Sequence, residues 1–179
     1  MRGIIIAISL FFWIPTCLAG DKLPNFWKLA QKIMGEYSQE MRKKHSFEVA
    51  GSGGSAAYDM QVATITYAGY QSLNIDEARR LFIEVVDGLA YKFNKDKVIR
   101  PFLHDYPFTR QNIDIALTFK NGTDLFITQG KIAHVAAGGS DIIYSIYNST
   151  TRRLETVFQE PYEEALRIVR EEKIKMKST

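Results

Sequence analysis

Soft and nitrogen metal ligands are nearly missing from this chain: its 179 residues include one cysteine, Cys17, and three histidines, His45, His104 and His134. A zinc site needs three or four ligands at recognisable spacing. Neither a paired-cysteine motif nor His-x-x-x-His nor His-Glu-x-x-His occurs, so no metal and no cofactor is expected. An excess of charge of one sign is also lacking. With 23 Lys and Arg against 20 Asp and Glu, nothing concentrates positive charge into the patch that nucleic acid requires, so nucleic acid is not an expected partner. There is no Gly-x-Ser-x-Gly elbow. The cluster Gly51-Ser52-Gly53-Gly54-Ser55 lacks the Gly-Lys-Ser/Thr ending of a phosphate loop, and the stretch after it reads as strand rather than helix.

Long hydrophobic runs are absent too, except at the start. Met1-Arg2-Gly3 carries a positive charge, and residues 4–14 are an apolar run closed by Pro15. A bilayer takes about twenty residues, so this run is too short to span one. Residues 1–19 therefore read as a cleavable secretory signal peptide. The small side chains of Cys17 and Ala19 place the cut before Gly20, with a cut before Asp21 as the alternative. Residues 14–17 bear a faint likeness to a lipid-attachment box, so a lipoprotein anchored at Cys17 is the second reading, and the only one that implies a membrane. The expected location is secreted or periplasmic. Cleavage removes Arg2 and Cys17, which lowers the net charge from +3 to +2 and leaves a domain held by packing without disulfides. That suits a bacterial envelope. Asn121-Gly122-Thr123 and Asn148-Ser149-Thr150 match glycan acceptors, but both read first as turns.

Residues 20–179 are enough for one domain. Residues 24–44 repeat apolar side chains at three- and four-residue steps (Phe26, Leu29, Ala30, Ile33, Met34, Tyr37, Met41), predicting an amphipathic helix that docks on its own domain or on a partner. Residues 46–50 read as a short strand, the Gly-Ser cluster as a flexible break, and residues 60–67 as a strand apolar on both faces. Asn74 and Glu77 form a capping box ahead of the stripe Ala78, Leu81, Phe82, Val85, Leu89 and Phe93. Ile113, Ile115, Leu117 and Phe119 alternate with polar residues up to the turn Asn121-Gly122, which predicts a hairpin into residues 125–128. Further turns at Gln129-Gly130, Gly138-Gly139 and residues 148–150 separate strands over residues 131–136, 142–147 and 152–158. Pro161 opens a last helix with Tyr162, Ala165, Leu166 and Val169 inward, and residues 173–177 read as a frayed, solvated end. The fold class expected is α+β: an antiparallel sheet meander with about three helices packed on one face.

Residues 99–109 are the segment that points to function. They hold Phe102, Tyr106 and Phe108, two prolines and the pair His104-Asp105, too apolar for an ordinary surface loop. Such a segment either plugs the end of the core or lines a groove. A groove walled by Arg100, Phe102, His104, Tyr106 and Phe108 would take a peptide, a protein partner or a small apolar ligand. The rival reading is a small serine-type hydrolase of the envelope, with Ser52, Ser55 or Ser140 beside glycines and His104 or His134 as base. His45 reads as a helix C-terminal residue favoured by the dipole.

Gly53-Gly54-Ser55 before a strand, Asp76-Glu77-Ala78-Arg79-Arg80 opening a helix, and Ile99-Arg100-Pro101-Phe102 with Tyr106-Pro107-Phe108 before an alternating strand resemble a family of small exported bacterial proteins without an assigned function. The resemblance covers residues 45–120. It implies an envelope origin and brings no active site with it. The reading that results is an exported, cofactor-free binding or interaction module.

Overall fold

The computed structural model describes residues 25–122, 126 and 130–178. The leader expected over residues 1–19 and most of the strand expected over residues 125–128 lie outside them.

Helix α1 (Asn25–His45) follows its apolar spacing: Phe26, Ala30, Ile33, Met34, Tyr37 and Met41 are all buried. Its last turn carries Arg42, Lys43, Lys44 and His45, where the helix dipole favours positive charge. Helix α2 (Ile75–Lys95) starts at the capping box. Glu77 N donates to Asn74 Oδ1 at 2.9 Å, and Asn74 N donates to Glu77 Oε2 at 2.8 Å. The whole expected stripe from Ala78 to Phe93 is buried. Phe82 and Phe93 are fully enclosed, and burial of such a ring contributes about 1.5–3 kcal/mol. Helix α3 (Tyr162–Lys177) buries Tyr162, Ala165 and Val169. Residues 173–177, expected to fray, continue this helix with exposed side chains.

Among the described residues six strands form one sheet in chain order: β1 (Glu48–Ala56), β2 (Met60–Gly69), β3 (Ile113–Phe119), β4 (His134–Gly138), β5 (Asp141–Asn148) and β6 (Arg153–Pro161). The domain is α+β, but its sheet is mixed. β3 to β6 form an antiparallel meander and β1 pairs antiparallel with β2, whereas β2 and β3 are parallel. A parallel neighbour needs a crossover, and α2 supplies it. Helix α1 packs against α2, β1 and β2, α2 against β3 and α3, and α3 against β6.

Two local expectations are corrected. The Gly-Ser cluster is not a break: β1 runs through it, paired with β2 from Glu48↔Ala68 to Ala56↔Met60. β2 is not covered equally on both faces, since Ala63, Ile65 and Tyr67 are buried while Val62, Thr64 and Thr66 are half-buried. The hairpin expected from β3 into residues 125–128 falls mostly outside the described residues; within them β3 lies between β2 and β4, with Leu117 opposite Val135. Gly122 of the Asn-Gly turn signal takes φ 56°, in the left-handed region that favours glycine.

The turns at the far end behave as their residues dictate. Gly139 takes φ 65° between β4 and β5, and Asn148 Oδ1 accepts from Thr150 N at 2.9 Å, an Asx turn before β6.

Candidate functional site

Residues 99–109 fold back along the start of β2. Leu103 makes a parallel bridge to Met60, and His104 N donates to Met60 O at 2.9 Å. Asn94, near the end of α2, holds the far end of the segment: Phe108 N donates to Asn94 Oδ1 at 2.7 Å and Asn94 Nδ2 donates to Phe108 O at 2.8 Å. Asn112 is buried and donates to Gln61 O at 3.1 Å and to Asp105 Oδ2 at 2.8 Å. The segment is therefore anchored through backbone and amide bonds while part of its surface faces solvent.

The candidate residues separate into two groups. Ile99, Leu103 and Phe108 belong to the core, and the Phe108 ring lies 5.2 Å from that of Phe93. Phe108 is thus a plug and not a groove wall, because the paired bonds to Asn94 turn its side chain inward. Phe102 and Tyr106 remain exposed, at 39% and 54%. Phe102 stacks on Phe26 of α1 with centroids 5.9 Å apart. The Arg100 guanidinium lies 4.7 Å from the centroid of the Tyr106 ring, and its Nη2 donates to Asn94 O at 2.9 Å. Contact with the ring face favours the cation. Arg100 Nε is buried without a protein partner.

The structure adds two residues that the segment alone did not reveal. The turn between β1 and β2 brings Asp59 to His104, with Oδ2 and Nδ1 2.9 Å apart. Beside it Tyr58 is 95% exposed. The hydrogen bond to Asp59, the Asp59 charge and the more distant Asp105 charge all raise the His104 pKa above the usual histidine value. The only sequence signal for this pairing was a Tyr-Asp dipeptide between two strand-like runs.

Neither histidine offered as a base meets a serine. Among the described residues no serine hydroxyl hydrogen-bonds an imidazole: His104 pairs with Asp59, His134 Nδ1 lies 3.1 Å from Thr118 Oγ1, and His45 Nε2 lies 2.9 Å from Glu84 Oε1. Burial lowers the His134 pKa. Glu84 is pushed up by burial, but hydrogen bonds from Lys44 and His45 outweigh this and hold it below the usual carboxylate range. Ser52 and Ser55 lie in β1, and Ser140 donates to its neighbour Asp141. No group of three or more His, Cys, Asp or Glu suited to a metal ion occurs among the described residues. No described helix is long and apolar enough to cross a membrane.

A buried polar network also escaped the sequence pattern. Arg79 donates to Glu160 at 2.7 Å and to Asp76 at 2.6 Å, and Tyr144 Oη donates to Glu160 Oε1 at 2.6 Å. It ties α2 to β5 and β6. The available hint was an arginine beside the apolar stripe of α2.

No family model, curated protein or solved structure matches this chain.

Proposed function

We propose that this protein is an exported, cofactor-free binding module whose contact surface is the aromatic end formed by Tyr58, Phe102 and Tyr106. The observation that carries this reading is that Phe102 and Tyr106 stand in solvent on a backbone tied to α2 and β2. Rigid aromatic side chains give large contact area at small entropic cost. Arg100, Asp59 and His104 supply a charged rim, and a rim of that kind sets orientation and specificity. A protein partner fits such an open, mixed surface.

Export rests on residues 1–19, with the working chain beginning at Gly20, and the resemblance over residues 45–120 agrees with an envelope location. The reading also places all three helices on the sheet side that carries Ile65, Ile115 and Tyr144.

The test combines Tyr58→Ala and Tyr106→Ala in one chain. The expected result is an unchanged circular dichroism spectrum and Tm, with loss of a partner that wild type cross-links in its own compartment. Retention of that partner, or unfolding of the variant, refutes the proposal. The mass of the exported chain checks the cut before Gly20.

A further inference from the structure

Each of the first two helices contains one glycine, and only one of them is explained by the chain's own packing. At Gly88 in α2 an added Cβ would overlap the hydroxyl of Tyr37, so the close approach of α1 and α2 requires glycine there. At Gly35, on the exposed side of α1, an added Cβ meets nothing within 4 Å. Glycine weakens a helix relative to alanine, and no contact among the described residues compensates at this position.

Gly35 opens onto a groove of about 380 Å³ between α1 and β1. Met34 and Ser38 line its helix side, Val49 and Ser52 its strand side, and Arg42 is its one charged lining residue. Among the described residues β1 is an outer strand that pairs only with β2. In an edge strand every second residue turns its N–H and C=O away from the sheet. Such edges are commonly blunted by charges, proline, a bulge or a covering element; register shifts interrupt β1 between Val49 and Gly51 and between Ser55 and Ala56, but residues 51–55 between them pair regularly with β2 and are only Gly and Ser. Between these shifts no charged side chain or proline of β1 screens the backbone beside the groove. The Arg42 side chain has no ion pair or hydrogen bond among the described residues, so a carboxylate is the complementary group.

We propose that this groove takes an extended segment of a partner protein, which adds to β1 as a further strand. An apolar side chain of the segment rests on Met34 and Val49, and a carboxylate meets Arg42. Strand addition obtains affinity from main-chain hydrogen bonds and selectivity from pockets for alternate side chains. The inference rests on the chain being a binding module, but it uses a surface other than the aromatic end.

Random decapeptides displayed on phage and selected on the immobilised protein provide the probe. The strongest are resynthesised with a fluorophore and titrated by anisotropy. Expected are sequences that combine β-branched residues with Asp or Glu. Gly35→Met should raise Tm yet weaken binding at least tenfold, and Arg42→Glu should weaken it similarly. The Tyr58→Ala/Tyr106→Ala variant should bind these peptides as wild type does, which separates failure of this groove from failure of the aromatic end. The proposal is overturned if no peptide is enriched, or if Gly35→Met binds undiminished. It is equally overturned if a photo-cross-linker at Gln39 joins only the chain's own residues or a second copy.

Discussion

Arg79 Nε donates to Glu160 Oε1 across 2.7 Å, with both side chains almost withdrawn from solvent. Burial opposes the charge on Arg79, and its bonds to Glu160 and Asp76 keep it protonated. Removing one partner strands the other, which costs about 3–5 kcal/mol for a buried pair. Glu160→Gln and Arg79→Met should each destabilise on this scale in urea unfolding. Tyr144→Phe should lose about 1.5–3 kcal/mol, the range for a bond to a charged group. Additive effects of the Arg79 and Glu160 changes in a double-mutant cycle would show that the two do not act as a pair.

Gly88 and Gly35 should respond to alanine with opposite signs. At Gly88 the new methyl overlaps Tyr37, whose hydroxyl donates to Val85 O at 2.9 Å; overpacking of this kind costs about 1–3 kcal/mol. At Gly35 there is open space, so alanine should stabilise by about 0.5–1 kcal/mol. Thermal unfolding of the two variants decides the matter, and equal shifts would refute the distinction.

His104 and His134 should titrate on opposite sides of the usual value of about 6.5. Asp59 raises the first and burial lowers the second. A raised pKa means that the His104 contribution to stability is complete below the ordinary histidine range and is lost as pH rises through its folded value. A lowered one means that His134 penalises the fold as pH falls below that range, because the unfolded chain binds the proton first. Imidazole shifts followed by NMR check both, and Asp59→Asn should bring the His104 midpoint down. A His104 midpoint at or below that of an unfolded peptide contradicts the pairing.

Asn94→Ala removes both bonds that hold Phe108 and leaves buried backbone groups without partners. A loss of about 1–3 kcal/mol is expected, along with faster hydrogen exchange at the Phe108 amide than at the centre of β3. Unchanged exchange would mean that the Phe93 contact alone holds the segment.

The helices were legible because their information is local. The spacing of Phe26 to Met41, the Asn74–Glu77 box and the stripe from Ala78 to Phe93 lie within single turns or single helices, and each is found as expected. The aromatic segment was legible as unusual, but its division into plug and surface was not. Whether Phe108 or Tyr106 faces the core depends on Asn94, fourteen residues from Phe108. The His104–Asp59 and Arg79–Glu160 pairs span 45 and 81 residues, and no periodicity encodes such distances.

By itself the sequence determined the helix faces, the turns at Gly139 and Asn148, the alternation of β3 and the α+β class, because each follows from side-chain spacing or from the backbone freedom of one or two residues. Tertiary structure decided the rest. It made a strand of the Gly-Ser cluster by giving it β2 as a ladder partner, and it set β2 parallel to β3 through the α2 crossover. It also joined Asp59 to His104, and left Gly35 facing a groove. The physical reason is common to all four: pairing and burial are properties of residues brought together across the chain, and local propensity does not register them.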